Sequence, residues 1–393
     1  MTEAVISNVA RRRWSVSVEA RLLTIVTAIL VAFGLGTVYS ASAIVAEQMG
    51  RGHASFAINQ FTGVLFGALM FWLASRFDAD RWARLAWPLM VLTLILLTIV
   101  ILPGTESIAP RINGSRRFLW GGSVQPSELG KLALIMWTAM LLVKKGDAMR
   151  RLRKGLLPFL VVLAAMCLLV YLEPDLSVVM MYVLMFGVML FAAGVRIGHF
   201  VALGIISIPL IWNRMQEMNY VFLRMTSFFD PGAAPLQVDY QLRQSLIAIG
   251  SGGPFGVGFG QGRQQYGFLP YAYDDFIAST IGEEWGFLGM LLVILAFAAY
   301  AALGIRIARA ARSQFLRIVA LGITFTVVAT AYLHLGVATG LLPTTGLTLP
   351  FISYGRSNLV LSMLMTGILV NIGSTREKVV GEGATDPLAL SPA

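Results

Sequence analysis

Apolar stretches alternate with short polar segments along almost the whole chain. They lie near 21–43, 56–75, 83–102, 126–143, 155–172, 175–194, 198–212, 285–306, 316–339 and 352–372. A helix of about 20 residues crosses the roughly 30 Å hydrocarbon layer of a bilayer, so repetition at this length predicts transmembrane helices. Leu96-Leu97-Thr98-Ile99-Val100-Ile101 does not alternate as a barrel strand would. A lipid-embedded backbone must satisfy its own hydrogen bonds, which leaves helices. The pattern therefore predicts an all-α polytopic membrane protein with about ten transmembrane helices and a long extracytoplasmic loop between spans 7 and 8. Span 198–212 is short and contains Pro209, which makes it the least sharply bounded. Ala41-Ser42-Ala43 imitates a signal-peptidase site, but the first apolar stretch is longer than a signal core and further spans follow.

Composition strengthens this reading. Of 393 residues 57% are hydrophobic and 13% charged, against about a quarter charged in soluble domains. One cysteine, Cys167, excludes an intrachain disulfide, and three histidines at 53, 199 and 334 are too scattered for a zinc motif. The net charge of +10 has no aromatic-basic interleaving of the kind that binds nucleic acid. Its placement fits topology instead. Arg11, Arg12 and Arg13 precede span 1, and Arg76, Arg81 and Arg84 follow span 2. Lys144, Lys145, Arg150, Arg151, Arg153 and Lys154 follow span 4, Arg306, Arg309, Arg312 and Arg317 follow span 8, and Arg376 and Lys378 follow span 10. With ten spans all of these lie on one side, predicting that both termini are cytoplasmic. The organisation expected is a cytoplasmic segment 1–20, a transmembrane domain 21–375 containing the long loop 213–284, and a mobile cytoplasmic tail 376–393.

The polar chemistry falls on the other side. Arg111, Arg116 and Arg117 lie in the outward segment 103–125; guanidinium groups suit phosphate oxygens, although lipid headgroups or Glu106 would also serve as partners. Gln125-Pro126-Ser127-Glu128 reads as a helix start, with Glu128 and Lys131 spaced for an i,i+3 ion pair that could be structural or functional. In the turn Glu173-Pro174-Asp175, Asp175 suits an N-cap. Within the long loop, 242–249 predicts a short amphipathic helix ending at Gly250 and carrying Gln244 and Ser245. Gly256 to Gly262 permit tight turns or close ligand approach, but no Gly-Lys-Ser/Thr follows, so a nucleotide loop is disfavoured. Asp274 and Asp275 are adjacent carboxylates, one suited to orienting and one to facing a cavity. Residues 340–357, in which Pro343 and Pro350 bracket Gly346 and Arg356 lies near the end, predict a shaped re-entrant turn.

These motifs together resemble the SEDS family (shape, elongation, division and sporulation). The carriers are Asn113-Gly114-Ser115-Arg116-Arg117, Gln125-Pro126-Ser127-Glu128 with Lys131, Glu173-Pro174-Asp175-Leu176, Ser245 to Gly253, Gly256 to Gly260, Asp275-Phe276-Ile277, Gly282-Glu283-Glu284, and Leu349 to Gly355. Family members are ten-span glycosyltransferases that polymerise lipid II. The resemblance implies that Asp275 is the catalytic loop aspartate. It also implies that Arg116, Arg117, Glu128, Lys131 and Asp175 contact substrate, and placement in the outward polar segments makes Arg111, Gln244, Ser245 and Arg356 further substrate-binding candidates. Asp275 would act as general base on an acceptor hydroxyl, with Arg116, Arg117 and Lys131 stabilising the departing diphosphate. A divalent cation, Mg²⁺ or Mn²⁺, could share that work, though no residue pattern specifies one. Implied partners are lipid II and the growing glycan strand, a class B penicillin-binding transpeptidase and regulatory membrane proteins of division, with no nucleic acid. The implied location is the bacterial cytoplasmic membrane at the division septum, since Gly340-Leu341-Leu342-Pro343-Thr344 resembles the division branch. Departures are Glu173 for a usual glutamine, Tyr273 for histidine, Thr345 for lysine and Arg356 for glycine. The competing readings are an elongation polymerase, a lipid II flippase and a non-enzymatic division scaffold.

Overall fold

The computed structural model describes residues 12–111, 115–146, 155–195, 198 and 236–378. Ten α-helices are described: α1 Val18–Gln48, α2 Ser55–Arg76, α3 Trp82–Ile101, α4 Pro126–Lys145, α5 Leu157–Leu172, α6 Leu176–Ala192, α7 Leu236–Gly252, α8 Ile277–Arg309, α9 Gln314–Ala338 and α10 Arg356–Ile372. Six are long and apolar enough to cross a membrane, and α5, α6 and α10 are shorter apolar helices. The predicted span 198–212, the first part of the long loop, and Arg150, Arg151, Arg153 and Lys154 lie outside the described residues.

Burial separates two kinds of helix. α4 is buried continuously from Gly130 to Ala139 and forms the centre of the bundle. α2 instead exposes Leu65, Phe66, Leu69, Trp72 and Leu73, a continuous apolar face that suits lipid tails rather than water. The chain is an integral membrane protein. Its opposite face follows α10, where Gly67 lies against the Met363 side chain and Gly367 against the Phe71 backbone. Small residues allow such close helix approach in lipid.

The bundle has two ends. At one, Asn371 Nδ2 donates to Ser75 O (2.9 Å) and Phe77 O (2.6 Å), and Ser17 N–H donates to Gly373 O. Two short strands lie there, β1 Arg12–Val16 and β2 Ser374–Lys378, paired antiparallel with Arg12 opposite Lys378. Hydrophobic periodicity gave no sign of this pair, and it ties down the first residues of the segment expected to be a mobile tail. Arg76, Arg81, Arg84, Lys144, Arg306, Arg309, Arg312 and Arg317 are exposed at this same end.

At the other end the loops are longer and folded onto the helices. Here α8 departs from expectation by starting at Ile277 rather than near 285 and by breaking at Gly286 (φ 65°, ψ −160°). Gly282, Glu283, Glu284 and Gly286 suggest a loop, yet the break is repaired by neighbouring backbone. Val257 and Gly258 N–H donate to Glu283 O and Glu284 O, while Phe287 and Leu288 N–H donate to Gly253 O and Pro254 O. Every helix end leaves such groups orphaned, and this loop satisfies those of the break. A Cβ at Gly256 would stand 2.1 Å from Glu284 O, and one at Gly286 2.3 Å from Gly256 N. The glycine-rich run therefore serves close backbone packing against α8. α7 is also longer than predicted: it passes Gly250 and stops at Gly252, where Gly253 (φ 56°) takes the left-handed position.

Candidate functional site

The polar end gathers five segments: the described residues 102–111 and 115–125 after α3, the start of α4, the α5–α6 turn, the loop 253–276 before α8, and the strap 339–355 between α9 and α10. The strap and the loop are bound together. Ser353 Oγ donates to Asp274 O (2.8 Å) and accepts from Leu349 N–H (2.8 Å), and Tyr354 N–H donates to Tyr273 O (3.0 Å). Gln60 on α2 donates to Ser353 O (3.0 Å) and accepts from Gly355 N–H (3.1 Å). His334 Nδ1 lies 2.6 Å from Leu347 O; a carbonyl only accepts, so the ring proton sits on Nδ1. Ser177 Oγ donates to Thr345 O. The strap is thus held by side chains from α2, α6 and α9 together with bonds of its own, as buried irregular backbone requires.

Asp275 sits where loop and strap meet. Its carboxylate faces Gly346, and a Cβ there would come 3.6 Å from Oδ2. Its neighbour Asp274 is half-buried with a fully buried Oδ1 that has no hydrogen-bond partner among the described residues. Burial pushes the Asp274 carboxyl well above the usual range, the Asp275 charge adds to this, and Arg117 opposes it. Of the adjacent pair, Asp274 is the one that burial disposes towards the neutral acid. Burial, followed by the charge of Asp274, pushes the neighbouring Tyr273 phenol up to about 12.

Arg117 links this pair to the α5–α6 turn. Its Nη1 lies 3.5 Å from Asp175 Oδ2, and its Nε donates to Ser115 Oγ (2.8 Å). Asp175 also accepts from Gln125 Nε2 (3.2 Å) and, as N-cap of α6, from Val178 N–H (3.3 Å). The capping expected from sequence is present, and it occupies much of the acceptor capacity assigned to substrate. Glu173 is 1% exposed and neither carboxylate oxygen has a hydrogen-bond partner among the described residues.

The other candidates are placed less directly. Glu128 and Lys131 form a buried ion pair at 2.7 Å within α4, so the Lys131 ammonium already has a carboxylate partner. Arg116 Nη2 lies 3.1 Å from Glu106 Oε1, an ion pair by distance without aligned hydrogen-bond geometry, and Nη1 donates to Leu102 O (3.3 Å). This is the Glu106 pairing that the sequence left open. Arg111 is exposed and Gln244 half-buried. Arg356 packs along Gly63 of α2 and donates to Ser123 Oγ (3.0 Å). Ser245 departs from the expected substrate contact. It is fully buried, its hydroxyl lying 2.5 Å from Ser279 Oγ and donating to Ala338 O (2.6 Å), because α7 is anchored there against α8 and α9. Among the described residues no three His, Cys, Asp or Glu side chains converge to hold a metal ion.

Two residues that help build the site, Glu283 and Glu284, belonged to a motif but were not among the candidate site residues. Glu283 accepts from the Arg263 (2.7 Å) and Gln264 (3.2 Å) N–H groups, and Glu284 accepts from Ser40 Oγ (2.5 Å) on α1. These buried carboxylates staple the loop to the bundle. Their adjacency was legible, but their partners are distant in sequence.

Comparison with known proteins agrees with this architecture. The model of the FtsW/RodA/SpoVE family, described as cell cycle proteins, matches residues 20–378. The probable peptidoglycan glycosyltransferase FtsW of Trichlorobacter lovleyi is 37% identical over 90% of this chain and 92% of its own length. Stage V sporulation protein E of Bacillus subtilis is 38% identical over 89% and 96%. Among solved structures, a chain from a study of how a peptidoglycan synthase complex coordinates polymerization and crosslinking superposes with TM-score 0.73 at 25% identity, covering 90% of this chain and 97% of that one. Thermus thermophilus RodA superposes at 0.64 with 25% identity, covering 89% and 95%. The chain belongs to the FtsW/RodA/SpoVE family of cell cycle proteins.

Proposed function

We propose that the protein is an inverting peptidoglycan glycosyltransferase that polymerises lipid II into β-1,4-linked strands at the outer face of the cytoplasmic membrane. The observation that carries this reading is the Asp275 carboxylate, held against Gly346 in the polar mouth of the bundle and grouped with Asp274 and Arg117. Asp275 removes the proton from the acceptor GlcNAc 4-hydroxyl as that oxygen attacks the anomeric carbon of the lipid-linked MurNAc. The bond from that carbon to the diphosphate breaks, and undecaprenyl diphosphate leaves with the electron pair. Asp274, neutral, leaves the negative charge of the adjacent pair on Asp275, a separation of roles common in paired carboxyl groups. Arg117 is the diphosphate ligand that the geometry favours, because Arg116 and Lys131 have closer carboxylate partners. An apolar groove lined by Leu35, Gly36, Tyr39, Ala57, Ile58 and Phe61 opens between α1 and α2 and suits a lipid tail.

Exposed arginines at the opposite end favour a cytoplasmic position for it and for both termini. The division-type relatives favour a septal role, and the likeness to a chain of a synthase complex favours work beside a class B transpeptidase. Against a flippase, hydroxyls in the bundle interior turn back onto their own helices: Thr324 to Ala320 O, Thr326 to Gly322 O, Thr330 to Thr326 O and Thr366 to Ser362 O.

The test is reconstitution with lipid II, with and without the candidate transpeptidase. Wild type should form glycan polymer, and Asp275→Asn should lose about 10²- to 10⁴-fold in rate. Equal polymer from both would sink the role of base, and lipid II translocation without polymer would favour transport.

A further inference from the structure

Glu173 is a buried carboxyl group that the proposed reaction does not use. It closes α5, its N–H donating to Val170 O (3.1 Å), and its side chain is buried without a donor for either oxygen among the described residues. The charged and titratable groups facing it are Asp175 at the start of α6, Arg117 from the segment after α3, and Tyr182 on α6. None supplies a hydrogen bond: the Tyr182 hydroxyl donates to Ser127 O (2.6 Å), and Arg117 is turned to Asp175 and Ser115. Glu128 on α4 faces Tyr182, and Asp274 before α8 faces Arg117. Three carboxyl groups thus share the field of one guanidinium. An ionised carboxylate without hydrogen bonds is costly in such surroundings. Burial, reinforced by Asp175 and opposed by Arg117, pushes the Glu173 carboxyl up to about 9.

We infer that Glu173 is a positioning residue kept as the neutral acid, and that its neutrality leaves Arg117 available to the diphosphate of an incoming sugar donor. Loss of its proton to solvent places a second anion beside the Arg117–Asp175 pair. That anion competes for the guanidinium and repels diphosphate, so the effect falls on donor binding. The protonation state stands on the geometry alone, whereas its consequence for the donor rests on the proposed function.

Two measurements test these separately. In wild-type protein reconstituted in vesicles with isotope-labelled glutamate, infrared spectroscopy should show a protonated glutamate carbonyl band at neutral pH. That band should be missing from Glu173→Gln and should titrate away with a midpoint near about 9. No such band in the wild type, or an undiminished one in Glu173→Gln, overturns the protonation claim whether or not the protein polymerises anything. With lipid II as substrate, the wild-type KM should rise about tenfold from about pH 8 to about pH 10 through this one titration, with a smaller change in kcat. The same ratio measured within Glu173→Gln should stay near one. An equal rise in both proteins, or a change in kcat alone, overturns the positioning role. Polymer from neither at any pH counts against the proposed function and leaves the infrared result as the test of the acid.

Discussion

The two ends of the bundle use charge in opposite ways. At the basic end, Arg76, Arg81, Arg84, Arg306, Arg309, Arg312 and Arg317 are exposed and the connections are short; the Arg81–Asp78 pair at 3.6 Å is of the solvent-facing kind that contributes little. At the polar end, Glu128, Lys131, Glu173, Asp175, Glu283 and Glu284 are buried, and all but Glu173 are held by a hydrogen-bond or ion-pair partner. Charge at one end orients the chain in the membrane. At the other it builds a site, where removing one partner strands another.

That contrast predicts a graded series of effects. The largest, after loss of the base, is Lys131→Met, which leaves Glu128 alone in the bundle core. Breaking a buried pair by removing one partner costs about 3–5 kcal/mol, so the yield of folded protein in detergent should fall sharply. Unchanged thermal unfolding would mean that Glu128 finds another partner. Next is Gly256→Ala, whose Cβ would meet Glu284 O at 2.1 Å. Overpacking typically costs about 1–3 kcal/mol, and proteolysis should then cut the 253–276 loop before the bundle unfolds.

A smaller effect depends on pH. The Glu173 carboxyl moves from an ordinary 4.5 to about 9 in the folded protein. The native state therefore holds a proton that the unfolded state has released across that window. The contribution is most favourable below 4.5, declines as pH rises towards about 9 and is level beyond it. Glu173→Gln should flatten the fall in melting temperature between those limits and be the more stable protein at alkaline pH. Asp274, shifted in the same direction, leaves a residual slope in both. The smallest effect belongs to Arg309→Ala at the basic end, where neither polymerisation nor melting temperature should move measurably. A large loss there would erase the contrast between the ends.

The transmembrane helices were legible because lipid imposes one repeating demand on composition. Nine predicted spans correspond to described helices, whose ends shift by a few residues except at α8. There Glu283 and Glu284 looked like loop residues because their partners, Ser40 and the Arg263 and Gln264 backbone, come from elsewhere in the chain. The β1–β2 pair escaped for a similar reason: Arg12–Val16 and Ser374–Lys378 have no hydrophobic alternation and meet only because both ends of the bundle wall reach one place. In the site, Asp275 was legible through resemblance and Asp175 through its capping position. Ser245 carried a motif but faces the core, and the acidity of Glu173 depends on neighbours that sequence order does not bring together.

The central claim is spatial: Asp275 opens to the extracytoplasmic side and the arginine-rich end to the cytoplasm. Cys167 is the only cysteine in the chain, so a Cys167→Ser background makes single-site labelling possible. In intact cells permeabilised only at the outer barrier, a membrane-impermeant maleimide should label Asp275→Cys and spare Arg309→Cys, with both labelled after lysis. Labelling of Arg309→Cys from outside while Asp275→Cys is spared would contradict the account.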